Sequence, residues 1–118
     1  MYTRGGPVRG GGTMPPYLSQ RVNDLIDKGN LGEAVTLLVQ FLEQPERTQD
    51  INGQAAAHEA LGDLYTRMNK PDSASSHLIN ADALYQRLGN PQRSSEVRQQ
   101  LGQIQLQIQL QQIQLQQR

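Results

Sequence analysis

Apolar residues recur along this chain at helical spacing, and glycine, asparagine or proline cuts the pattern at regular intervals. Leu18, Val22, Leu25 and Ile26 share one face of a helix over 17–28, which Lys28-Gly29-Asn30 ends. Leu31, Ala34, Val35, Leu38, Phe41 and Leu42 form the next stripe over 31–44, closed by Pro45. A link this short makes the two helices antiparallel neighbours. The polar stretch 46–52 reads as a loop. A third helix over 53–68 carries Ala57, Leu61, Leu64, Tyr65 and Met68, and ends in the turn Asn69-Lys70-Pro71-Asp72. A fourth, over 72–88, carries Ala74, Leu78, Ala81, Leu84, Tyr85 and Leu88, and Gly89-Asn90-Pro91 breaks the chain again. A fifth starts near Gln92 and runs through Val97 and Leu101 into the glutamine-rich end. The fold class that follows is all-α.

The stripes repeat. Leu61-Gly62 recurs at Leu101-Gly102, Ala34 and Leu38 recur at Ala74 and Leu78, and the turn at Gly29 recurs at Asn69, each 40 positions on. A fixed period in this range marks stacked supersecondary units that cannot each bury their apolar face alone.

The middle unit, His58-x2-Leu61-Gly62-x2-Tyr65 followed by Ala74-x3-Leu78 and then Ala81, resembles the tetratricopeptide repeat (TPR), whose signature is W-x2-L-G-x2-Y…A-x3-F. His58 occupies the tryptophan slot and Gln86 stands where the family closes with proline. The 40-residue period exceeds the family's usual value of about 34, so the second helix of each hairpin is expected to be longer by about a turn. The resemblance implies a short right-handed superhelix of stacked antiparallel hairpins with a long Gln-rich C-terminal helix. In it Leu61, Gly62, Tyr65, Ala74, Leu78 and Ala81 hold the repeat together. It also implies an inner face, made by the first helix of each unit, that binds a segment of another protein. Projected onto this sequence, that face shows Ser19, Asn23 and Asp27, then Glu59, Asp63 and Arg67, then Gln99 and Gln103. Ser19 and Glu59 stand where carboxylate-gripping relatives have lysine, which argues against a clamp for C-terminal carboxylates.

Net charge is zero but unevenly spread. Residues 1–14 contain Arg4 and Arg9 and no acid, 15–90 carry a net charge of −4, and 91–118 a net charge of +2. A neutral total argues against a general nucleic-acid binder, which needs a basic face. The chain has no cysteine, so disulfides, thiolate metal sites and cysteine nucleophiles are excluded. It has no apolar run long enough to span a bilayer and no signal-peptide pattern at its start, so the expected location is the cytoplasm. His58 and His77 lie 19 apart without a cysteine partner, which argues against zinc, and His58 is expected to be a packed neutral ring. No phosphate loop and no nucleophile–base grouping can be argued from spacing. The expectation is a protein without a catalytic site, metal or cofactor.

The organisation expected is a Gly/Arg-rich flexible tail over 1–16, a helical repeat domain over 17–102 and a Gln-rich extension over 103–118. Arg4-Gly5-Gly6 and Arg9-Gly10-Gly11 offer an alternative, an RNA-associated tail, but one aromatic and two charges are little for stacking on bases. In the extension, 11 of the last 20 residues are glutamine. Ile104, Leu106, Ile108 and Leu110 alternate as in a strand, yet glutamine and leucine favour helix, which is the expected state. As a helix it has two stripes. Ile104, Ile108 and Leu115 would cap the last hairpin, while Leu106, Leu110 and Ile113 would face a partner or a second copy. The function expected is a protein-protein interaction module, a scaffold, adaptor or assembly factor in a larger complex. Self-assembly through the Gln-rich helix is a further alternative.

Overall fold

The computed structural model describes residues 14–44 and 50–117. Among these residues the chain is all-helical: α1 (Pro16–Asp27), α2 (Leu31–Glu43), α3 (Ile51–Arg67), α4 (Pro71–Arg87) and α5 (Pro91–Gln116). The segment 1–13, which holds Arg4 and Arg9 of the expected tail, lies outside the described residues. The remainder of that tail does not behave as one: Met14 packs against the first core cluster, and Pro16 is helical.

Three of the four connections use one closure. Gly29 and Gly89 take φ of 78° and 68°, and Asn69 takes 59°. These left-handed residues let the next amide reach back and satisfy a carbonyl in the last helical turn. Asn30 N donates to Leu25 O at 2.8 Å, Lys70 N to Tyr65 O at 2.9 Å, and Asn90 N to Tyr85 O at 2.9 Å. The donor is in each case also the N-cap of the following helix, so the chain reverses within three residues and consecutive helices pack antiparallel. Pro71 and Pro91 then open α4 and α5 at positions that lack an amide partner anyway. The α3 helix starts two residues earlier than the expected 53. The reason is local: Asp50 Oδ1 accepts from Gly53 N at 2.9 Å and caps the helix inside what read as loop.

The extra length of the repeat does not lie in the second helix of the first hairpin. That helix, α2, has 13 residues, while α3 has 17, and the rest of the 40-residue offset falls in the connection before α3. From there the spacing is even, with α3, α4 and α5 beginning at 51, 71 and 91.

Two clusters form the core and α3 supplies both. Leu18, Val22 and Leu25 of α1, and Ala34, Leu38 and Phe41 of α2, close on Ala57, Ala60, Leu61 and Leu64 of α3. Ala55 of α3 belongs with Ala74, Leu78, Ala81 and Tyr85 of α4 and with Val97 and Ile104 of α5. Tyr65 packs against both clusters. Small residues keep α3 close to its neighbours: Ala55, Ala56, Ala57 and Ala60 are fully buried. At Gly62 a Cβ would come within 2.5 Å of Leu78 Cδ2, so only glycine admits the leucine there. Fully burying a leucine of this kind contributes about 2 kcal/mol, so Leu38, Leu61, Leu64 and Leu78 outweigh any single polar contact.

Two sequence readings are corrected here. The Leu61-Gly62 pair recurs at Leu101-Gly102 in letters only, because Gly102 is exposed with nothing within 4 Å of a Cβ. Among the described residues no sixth helix follows α5 to close onto it. The boundary drawn at 103 falls inside α5 and inside the core, since Ile104 is 3% exposed and Ile108 packs beside it. The strand alternative for 103–118 does not occur, since α5 runs unbroken to Gln116.

Candidate partner surface and a buried polar seam

Helices α1, α3 and α5 carry the residues projected onto the inner face. Asp27, Arg67, Gln99 and Gln103 are exposed, and Ser19, Asn23 and Asp63 are half-buried. Arg67 Nη2 lies 3.2 Å from Asp63 Oδ2, one helical turn away, as an ion pair without hydrogen-bond geometry.

Glu59 is the exception and a correction. The projection put it on the solvent face, yet it is 1% exposed. Its Oε1 accepts from Tyr85 Oη at 2.8 Å and its Oε2 accepts from Arg93 Nη2 at 2.7 Å. Arg93 Nη1 reaches Glu96 Oε1 at 2.6 Å. One carboxylate thus joins α3 to α4 and to α5. Burial and the bond to Glu59 both push the Tyr85 hydroxyl well above its ordinary pKa. Replacing such a buried pair with well-packed apolar residues is often neutral, so its contacts do not by themselves imply net stability.

Nearer the surface, Asp82 of α4 accepts from Ser94 Oγ, from Arg98 Nε at 3.0 Å and from Gln86 Nε2 at 3.2 Å. Burial pushes its carboxyl up, but these donors together outweigh that and hold it below the usual value. An open cavity of about 380 Å³ beside this group is lined by Gln86, Gly89, Asn90, Ser94, Ser95 and Arg98, among others.

The histidines make a contact that their 19-residue separation hides. His58 Nδ1 and His77 Nδ1 lie 3.0 Å apart, with ring centroids at 5.2 Å. Tyr65 stacks on the other side of His77 at 5.5 Å and 8°. One ring nitrogen must donate and the other accept, so the accepting ring is neutral with its Nδ1 unprotonated. Burial lowers the pKa of His58 to about 4, with His77 adding to the effect, and burial lowers His77 as well. Among the described residues no group of three or more His, Cys, Asp or Glu could hold a metal ion. No signal within one helix would have located this pair, because it depends on the register of α3 against α4.

The residues assigned to association lie at the far end of α5. Leu106 is 58% exposed, Leu110 52% and Ile113 49%, and Leu115 joins them at 63%. Leu115 departs from its expected capping role. Its stripe is covered at Ile104 and Ile108, but the body ends before residue 115. No helix among the described residues is long and apolar enough to cross a membrane.

No protein-family model matches the chain. No curated protein and no solved structure matches it either.

Proposed function

We propose that this chain is a protein-protein interaction module, a scaffold, adaptor or assembly factor whose hairpins stack as a short TPR-like superhelix. One observation carries the reading: Leu106, Leu110 and Ile113 stand exposed together along one face of the end of α5. Apolar side chains grouped in this way at a surface mark a contact site. The polar face with Asn23, Asp27, Asp63, Arg67, Gln99 and Gln103 supports the same reading as a surface that orients a bound segment. Apolar anchors supply most of the affinity in such contacts, and charge sets encounter and register.

The test is affinity capture with two baits, the parent chain and the variant Leu106→Gln/Leu110→Gln/Ile113→Gln. The prey is a cell extract supplemented with a differently tagged copy of the chain. The parent is expected to hold at least one protein, foreign or its own copy, that the variant releases, with both baits equally helical by circular dichroism. Identical capture by both baits, or none by either, would overturn the proposal.

A further inference from the structure

Helix α5 is longer than the body it packs on. It has 26 residues, a length of about 39 Å at the usual helical rise, against 17 in α3 and in α4. Near the end of its packed part, Gln107 Nε2 donates to Asn69 Oδ1 at 3.3 Å, at the turn that closes α3, and Ile108 is the last side chain on the second core cluster. From 109 to 117 every residue is exposed. Helices shorter than about 12–15 residues are marginal in water without side support. Among the described residues nothing packs along this end, which presents leucine and isoleucine to solvent.

The chemistry of the covering surface is narrow. Residues 99–117 contain no ionisable side chain, only Gln, Leu, Ile and one Gly. A partner bringing charge to this face would desolvate it without an opposite charge to meet. The matching surface is neutral, apolar and rich in amides, which describes α5 itself. Glutamine amides both donate and accept, so two copies can satisfy each other. Leu106, Leu110 and Ile113 also follow the 4–3 spacing of a two-helix seam, with Gln103 and Gln117 at the next seam positions on either side.

We infer that the chain forms a homodimer in which two α5 helices pair antiparallel about a two-fold axis beside Leu110. Leu110 meets Leu110 of the second copy, and Leu106 meets Ile113 of the second copy. The direction follows from where each helix is anchored. Residues 91–108 are held by their own body, and 109–117 are not. Antiparallel pairing lays each unsupported end along the anchored half of the other helix and keeps the two bodies at opposite ends. Parallel pairing would leave the two unsupported ends with only each other. The inference rests on the reading of α5 as a contact surface, and it names the occupant.

The purified chain alone tests it, first by sedimentation and then by cross-linking. The parent is expected at twice 13.2 kDa, dissociating on dilution, and the Leu106→Gln/Leu110→Gln/Ile113→Gln variant at 13.2 kDa with its helicity kept. The dissociation constant should rise by at least about 100-fold, as expected for losing several buried apolar side chains. The chain has no cysteine, so single introduced thiols report pairing cleanly. Under mild oxidation Leu110→Cys should cross-link to itself. Leu106→Cys and Ile113→Cys should do so only when mixed. A parent that stays monomeric at its highest soluble concentration, a variant that still dimerises, or self-cross-linking of Leu106→Cys would overturn the inference. A monomeric parent that captures a foreign protein through the same stripe would sink the homodimer and leave the proposed function standing.

Discussion

Glu59 and Tyr85 meet in the interior, the tyrosine hydroxyl donating to the carboxylate at 2.8 Å, although both stand on helices whose other inward positions are mostly alanine and leucine. Arg93 completes the contact from α5 at 2.7 Å. A carboxylate this enclosed depends on the hydrogen bonds that meet it.

Glu59→Ala should therefore cost about 1.5–3 kcal/mol, because it removes the charged hydrogen bonds to Tyr85 and Arg93 while Arg93 keeps Glu96. Tyr85→Phe should cost about 1.5–3 kcal/mol, the loss of a hydrogen bond to a buried charged group. Urea denaturation measures both, and a double-mutant cycle on Glu59 and Arg93 should show strong coupling. Glu59→Lys should disrupt the fold, since it would put an ammonium against Arg93, whereas Asp63→Lys at a half-buried site should leave the helices intact.

Gly62 and Gly102 occupy equivalent letters of the repeat and should respond oppositely to alanine. Gly62→Ala drives a methyl into Leu78 and should lose about 1–3 kcal/mol. Gly102→Ala meets open space on an exposed helix and should gain about 0.5–1 kcal/mol. Thermal melts of the two variants against the parent check the contrast. Equal effects would mean that the close approach of α3 and α4 is misplaced.

Acid should weaken the fold before the carboxylates titrate. His58 is lowered from 6.5 to about 4, so the unfolded chain binds a proton that the folded chain refuses. The stability that comes from its neutral state is complete above pH 6.5 and is lost as pH falls through 4. Allowing for its partial exposure to solvent, the loss is on the order of 1–2 kcal/mol. Denaturant midpoints between pH 7 and pH 4 should fall for the parent and fall less for His58→Phe. Parallel slopes would mean that the imidazole pair is open to protonation.

Helix placement was set within single turns of the sequence. Gly29, Asn69 and Gly89 can enter the left-handed region, Pro71 and Pro91 can only begin helices, and the stripes through Leu18, Val22 and Leu25 or Leu61 and Leu64 have a single inward face. These properties need no information from elsewhere in the chain, so the helices and most of the core were legible before any packing was known. Two local caps were passed over, Asp50 on Gly53 N and Asn90 on Arg93 N. What only tertiary structure decided is which side chains meet. Glu59 reads as a surface carboxylate until Arg93, 34 positions on, and Tyr85, 26 positions on, are brought to it. His58 and His77 become a pair only through the register of α3 against α4. Gly102 loses its role because no further helix among the described residues covers it, and α5 gains a free apolar end because the body stops short of it. The period of a helix is written in residues three and four apart, whereas the partner of a buried charge or the reach of a helix past its neighbours depends on how whole helices stack.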